Sequence, residues 1–559
     1  MINLKEINSK KEITKEFFKW LFDKEEVELT SEIDFSLCPY YYDPYIYYPK
    51  EIKNFFETKA MKRLGKIGQL GLTLSKNENS YHTRLEHSKG TYNRKLEELI
   101  MLYQNDIYRK HIEDNNMKLY LIAELIKEAG HDIGHLPLSH IMEIQLIQKR
   151  NFHEDIGKRI LNENEEIQNI LKNIDSKLPE ILKESLNFDI LNSKAHDESN
   201  FDVDRLDYLN RDALYLGKKI HLSNEPYKIL YAETDLNGNI KKNPDGSIVI
   251  SNNSNSPRKR IDVYECESLS KIELFLKERV KAYKNIYYSE ETQVRDSSVG
   301  LFVNSILEKK PEGFNEFKDF IEHLKNSSYK EINLDEYLSW NDFKFYKNCI
   351  EVAQDSDNKN FTDFASIIIP PLDNLMTFTH QSLQLNNNSI KTLTDDEIEF
   401  ILKIKELINT NSELSQNLKN KNFFYSNAYF YNPSQTSDDL LKKYGSIIHT
   451  SSATVTGYNS SEPIYVKDLD GKIYSLDEHP KRSANWKKSN ETVNVTFILL
   501  PELREKGLDD YTIKNILNNL EKENKKEGSY TEPTEYNQLN LSPLQTGHSM
   551  KKVFEEIEI

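Results

Sequence analysis

GHDIGHLPLSH, residues 130–140, decides how this chain is read. It sets His131 beside Asp132 and adds His135 and His140 within a few residues. Upstream, Leu96, Leu99, Ile100, Leu119, Leu121, Ile122, Leu125 and Ile126 recur at helical spacing over 93–127, which predicts that the run sits at the end of a buried helix. On a regular helix His131 and Asp132 point about 100° apart, and His135 lies one turn on. HTRLEHS (82–88) adds His87, and DVDRLDYLNRD (202–212) adds Asp204. Two imidazoles and two carboxylates, His87, His131, Asp132 and Asp204, form a mixed nitrogen and oxygen set suited to Mn²⁺, Fe²⁺ or Zn²⁺. His135, His140 and His153 nearby are candidates for moving protons during phosphate ester hydrolysis. Glu86 is a candidate to orient a neighbouring ligand histidine.

The order His87, His131-Asp132, Asp204 resembles the H…HD…D signature of the HD-domain phosphohydrolases. The words RLGKIGQLG (63–71), HTRLEHSKG (82–90), GHDIGHLPLSH (130–140), HEDIG (153–157) and DVDRLDYLNRDALYLG (202–217) narrow the resemblance to the deoxynucleoside triphosphate (dNTP) triphosphohydrolases of that superfamily. It runs from about residue 40 to about residue 300. It implies a helical core, a divalent metal (Mn, Mg, Fe or Zn), and attack at the α-phosphorus that yields deoxynucleoside and tripolyphosphate. By resemblance His135 and His153 flank the reacting phosphate, His140 contacts it, and Glu143 stands where the family has Asp. Arg84, Arg205 and Arg279 bind phosphate and Tyr208 lies near it, with Arg205 replacing a frequent Lys. Gln69 and Asp212 match the pair that holds the 3′-hydroxyl, and Leu70 and Tyr287 match groups that crowd the 2′ position.

Two departures stand out. NIYYSEET, around Tyr287, lacks the family's His two residues after this Tyr. The word before QLG, usually FQRLR, reads MKRLG: Arg63 and Leu64 remain, but the second Arg of the familiar guanine-specific activator site is gone. A different activating nucleotide, or none, fits these residues. The family also implies a homo-oligomer, dimeric or tetrameric, and a role in dNTP depletion or phage defence. Two other readings compete. One is another HD phosphohydrolase acting on nucleoside monophosphates, cyclic nucleotides or (p)ppGpp. The other is a nucleotide-sensing or nucleic-acid-binding scaffold.

Composition bounds the remainder. The chain has 559 residues and a net charge of −16, which weighs against broad nucleic-acid binding without excluding it. No apolar run reaches membrane-spanning length, and the start does not read as a signal peptide. Three scattered cysteines, Cys38, Cys266 and Cys349, fit a reducing cytoplasm. The expected fold is mainly α. It comprises an extension over 1–40, an HD core over 41–310, a helical region over 311–444, a small α+β C-terminal module over 445–522, and a polar, partly disordered tail over 523–559. The turn words DLNGN and NPDGS predict a β-hairpin insertion at about 231–262.

Overall fold

A computed structural model describes residues 4–515 apart from 35–43, 73–80, 188–201, 217–221, 252–256, 310–314, 356–358, 386–393, 421–427, 432–448, 459–462, 484–489 and the positions 115, 150, 226, 457, 506 and 510. Cys38 and the tail over 523–559 lie outside the described residues. Helices dominate, as expected. The chain opens with α1 (Leu4–Phe22), the antiparallel pair β1 (Leu29–Ile33) and β2 (Tyr45–Pro49), and the short helices α2 (Lys50–Phe56) and α3 (Lys59–Leu64). The centre is built from α4 (Arg84–Tyr103), α5 (Asp106–Asp114) and α6 (Lys118–Ala129). A π-helical turn over Met142–Ile147 leads into α7 (Phe152–Glu163), α8 (Glu165–Ile174), α9 (Leu178–Asn187) and α10 (Val203–Tyr215).

The DLNGN and NPDGS words fall between β3 (Tyr227–Glu233) and β4 (Arg258–Tyr264), which pair antiparallel. Their glycines, Gly238 and Gly246, take φ of 84° and 85°, a region closed to most side chains. Then come α11 (Leu269–Ala282), a second π-helical turn over Tyr283–Tyr287, and α12 (Glu290–Lys309). The region read as helical contains α13 (Asn315–Asn326), α14 (Leu334–Ser339), α15 (Asp342–Asp355), α16 (Lys359–Ile368), α17 (Leu372–Leu385), α18 (Asp395–Asn409) and α19 (Glu413–Lys419). Strands β5 (Ala428–Tyr431), β6 (His449–Thr456), β7 (Tyr465–Lys467), β8 (Ile473–Ser475) and β9 (Asn490–Leu499) follow. None of the described helices is long and apolar enough to cross a membrane.

The late strands do not form one sheet. β7 pairs in parallel with β4, so the order β3-β4-β7-β8 joins the hairpin insertion to the segment after 445. The others form an antiparallel sheet β5-β9-β6, whose β9 packs on α12. The main hydrophobic core runs from Phe17 through α6 and α15 to Leu499. The helices after 311 therefore share one apolar interior with the motif-bearing helices, which decides how the site is held.

Candidate metal centre and active site

The metal set comes from three helix ends. Thr83 and Glu86 form a capping box that starts α4, and His87 sits in its first turn. Asp202 caps α10 by accepting from the Arg205 N–H, which puts Asp204 in that helix's first turn. Helix α6 buries Leu121, Ile122, Leu125 and Ile126 and stops at Gly130. The His131-Asp132 pair lies in the turn directly after it, at the end of the buried helix as the spacing predicted. The turn lets neighbouring side chains reach one point.

Both histidines are pinned at Nδ1. His87 Nδ1 is 2.8 Å from Asp207 Oδ2, and His131 Nδ1 is 2.8 Å from the Glu128 carbonyl oxygen. Their Nε2 atoms therefore turn to the same place, where Asp204 Oδ1 lies 2.8 Å from one and 3.4 Å from the other. One ligand atom each from His87, His131 and Asp204 falls within 4.8 Å of the others. Asp132 borders the same space, with Oδ1 3.3 Å from His131 Nε2 and Oδ2 3.7 Å from His87 Nε2. Two imidazole nitrogens and two carboxylates facing one point are a donor set that fits a divalent metal. Burial pulls both imidazoles down, but the facing carboxylates outweigh it and hold His87 up at about 9 and His131 at about 10. That field would hold a divalent cation equally well.

Sequence reasoning missed the group that orients His87. Glu86 serves the α4 cap and accepts from the Tyr215 hydroxyl at 2.8 Å. Asp207 does the orienting, backed by Arg211 Nε at 2.9 Å, and Arg211 in turn forks onto both oxygens of Asp34. The signal was the spacing: Asp207 follows Asp204 by three residues on one helix.

Beside the metal set, His135 stacks on His153 at 4.0 Å between centroids, and His140 meets both rings edge-on. Glu143 is buried and 2.9 Å from His153 Nδ1. Burial would raise the Glu143 carboxyl, but hydrogen bonds with His140 and His153 hold it well below the usual carboxylate range. Burial lowers His153, and Glu143 more than compensates, so that imidazole is drawn towards its charged form. Burial and the nearby Arg84 push His135 the other way. The stack thus pairs a charged-leaning ring with a neutral-leaning one, the asymmetry that acid–base work needs.

Arg84 closes the floor. Its Nη1 donates to Asp132 Oδ2 at 2.6 Å and its Nε to Ser139 Oγ at 3.0 Å. Leu138 and Ser139 take φ of 57° and 56°, a strained pair for residues with side chains. The strain is held by hydrogen bonds: Ser139 Oγ to the Gly68 carbonyl, and the Leu138 N–H to Asp342 Oδ1. The other oxygen of Asp342 accepts from the Gly68 N–H at 2.9 Å. Arg63 donates to the Ile133 and His135 carbonyls and to Trp340. No local sequence word pointed to Asp342, since its partners lie more than 200 residues away in sequence.

These residues line a cavity of about 760 Å³, a size suited to a small-molecule ligand. Gln69, Leu70, Arg84, Tyr208, Asp212 and Tyr287 line it with the metal set, His135, His140 and His153. Asp212 accepts from the Tyr287 hydroxyl and lies 2.7 Å from His82 Nε2. Tyr208 and Tyr283 join through their hydroxyls at 3.1 Å. Arg205 and Arg279 are not among the residues that line the cavity. Arg205 is turned onto its own cap, Asp202, and Arg279 lies over the Tyr283 ring. Glu143 sits behind the histidines, not on the wall.

Comparison with known proteins finds similarity to HD-domain proteins. No protein-family model matches the chain. An HD domain-containing protein of Acanthamoeba polyphaga mimivirus is 30% identical over 189 residues, 31% of this chain and 41% of that one. The chain is similar to HD-domain phosphohydrolases over about a third of its length. An uncharacterized protein of Mycoplasma genitalium is 28% identical over 328 residues, 55% of this chain and 70% of that one. A deoxynucleoside triphosphate triphosphohydrolase homologue of Dictyostelium discoideum is 31% identical over 188 residues, 30% of this chain and 34% of that protein.

Proposed function

We propose that this HD phosphohydrolase is a dNTP triphosphohydrolase that cleaves at the α-phosphorus. The supporting observation is one cavity lined by both the metal set and Gln69, Asp212 and Tyr287, the groups the resemblance assigns to a deoxyribose. His87, His131, Asp132 and Asp204 would hold the ion. When bound, it supplies positive charge for phosphoryl oxygens and lowers the pKa of water. Arg84 fixes Asp132 and offers its guanidinium to the phosphate. The oxygen of water bonds to the α-phosphorus, the bond to O5′ breaks, and O5′ takes a proton. His135 and His153 face that position as proton-transfer groups, and Glu143 sets the His153 ring. The sugar lies against Asp212, Gln69 and Leu70, and tripolyphosphate leaves. Arg205 and Arg279 reach phosphate only by turning from Asp202 and Tyr283. The resemblance also carries assembly into a homo-oligomer and activation by a nucleotide into this reading.

The test is incubation of the chain with each dNTP, singly and in pairs, with Mn²⁺ or Mg²⁺, separating products by chromatography. Deoxynucleoside plus tripolyphosphate, lost in Asp132→Ala together with bound metal, is the expected result. Turnover only with paired dNTPs reveals an activator. Nucleoside monophosphate as product would assign a different phosphohydrolase reaction.

A further inference from the structure

The His87 ring is held from outside the words that carry the metal set. On α10, Asp204, Asp207 and Arg211 recur at spacings of three and four, so they share a face. Arg211 grips Asp207 twice, Nε to Oδ2 at 2.9 Å and Nη2 to Oδ1 at 3.0 Å. That grip keeps Oδ2 against His87 Nδ1 at 2.8 Å. The far side of the guanidinium forks onto Asp34, Nη1 to Oδ1 at 3.1 Å and Nη2 to Oδ2 at 2.8 Å. All three side chains of this carboxylate–guanidinium–carboxylate row are buried. Asp34 follows directly on β1 and lies 177 positions before Arg211.

Helix α4 leaves a notch for the row. Gly90 lies one turn after His87, and a Cβ there would sit 2.0 Å from Asp207 Oδ1 and 2.3 Å from Arg211 Nη2. A second tie joins the strand to the same helix, Lys89 Nζ to Glu32 Oε2 at 2.5 Å. Removing one member of a buried ionic row leaves charge uncompensated. Without the Asp34 charge, Arg211 acts on Asp207 alone and makes it a weaker acceptor for His87. An imidazole whose Nδ1–H meets a weaker acceptor is a poorer metal ligand at Nε2.

We propose that Asp34 is a positioning residue for the metal, acting through Arg211 and Asp207 on His87, and that docking of its strand is coupled to metal loading. Such coupling is reciprocal: what the docked strand adds to metal affinity, the metal adds to docking. This rests on the metal reading of His87, His131, Asp132 and Asp204, and not on which phosphate ester is cleaved.

Equilibrium dialysis of Mn²⁺ against the full chain, Asp34→Asn, Asp207→Asn and the double variant reads the link. Asp34→Asn keeps the shape and removes the charge. It should weaken Mn²⁺ about 3–10-fold, less than loss of the direct partner Asp207. In the Asp207→Asn background the same exchange should cost less than about twofold, because the path is already cut. Unchanged affinity in Asp34→Asn, or losses that simply multiply in the double variant, would overturn the role of Asp34. Gly90→Ala leaves Asp34 in place but displaces Asp207 and Arg211, and should also weaken Mn²⁺; natural affinity there would overturn the row as the path. Hydrogen exchange of the natural chain supplies a readout that a folding defect in a variant cannot imitate. Amides of residues 29–34 should exchange more slowly in Mn²⁺ than in EDTA, and Asp207→Asn should abolish that difference. Exchange indifferent to Mn²⁺ in the natural chain would overturn the coupling. Failure of the natural chain to bind Mn²⁺ would overturn the metal reading with it.

Discussion

Gly134, between Asp132 and His135, leaves no room for a side chain. A Cβ placed there would lie 2.0 Å from the His153 carbonyl oxygen and 2.6 Å from the Gly157 nitrogen. Both are backbone atoms, so no side chain can swing aside. The turn cannot withdraw either: its Gly134 carbonyl accepts from the Tyr337 hydroxyl at 2.5 Å, and Arg63 holds the Ile133 and His135 carbonyls. In Gly134→Ala the start of α7 must retreat until 2.0 Å becomes the 3.4 Å of ordinary contact. Overpacking of this kind costs about 1–3 kcal/mol, and rigid backbone on both sides puts it at the upper end. Moving α7 also parts His153 from His135, and a displacement of about 1 Å at reacting groups costs roughly a hundredfold in rate. Gly157 is the control, because a Cβ there meets Gly134 N at 3.5 Å, an ordinary contact. Gly157→Ala should keep or raise the stability of its helix. Urea unfolding and dNTP turnover of the two variants check this. Equal stability of Gly134→Ala and the natural chain, or equal damage by both substitutions, would refute the packing argument.

Other expectations follow from the same contacts. Asp207→Asn removes the carboxylate that orients His87 and should weaken metal binding about 10–100-fold by equilibrium dialysis; unchanged affinity would mean that another group sets the ring. Burial pushes the Asp342 carboxyl up to about 7, against two backbone N–H donors that lower it. Its folded value lies above the ordinary one of 3.8, so its contribution to stability is full below that value and lost as pH rises through about 7. In Asp342→Asn the unfolding free energy should fall less steeply between pH 4 and 7. The variant should also be about 1–3 kcal/mol less stable at low pH, because its amide faces one of the two N–H donors. Parallel pH curves would remove Asp342 from the pH response. Loss of both bound metal and turnover in Asp132→Ala is expected, measured by elemental analysis and product chromatography.

The clustering of His87, His131, Asp132 and Asp204 was legible because each of them sits in a short word with its own local rule. A capping box puts His87 at the start of α4, an Asp cap puts Asp204 at the start of α10, and a glycine stop ends α6 at the His131-Asp132 turn. The hairpin was legible from its turn glycines. Where contacts span the chain, the sequence said little. Nothing near Asp342 announces that it binds Gly68 and Leu138, and nothing in the short runs after 445 says that β7 will join β4. Arg205 and Arg279 illustrate another limit: a motif fixes a residue's position on its helix, while the partner its long side chain takes depends on neighbours such as Asp202 and Tyr283.

Asp342 also alters what counts as the smallest working piece of this protein. A chain ended at residue 310 would keep His87, His131, Asp132 and Asp204, yet lose the carboxyl that ties Gly68 to Leu138. Gly68 precedes Gln69, and Leu138 precedes Ser139, the hydroxyl that Arg84 holds. One side chain from the later helices thus works as a common latch on the loop that carries Gln69 and on the histidine loop. Releasing it would free both together, so changes far from the metal, in the packing around α15, would be felt as changes in catalysis.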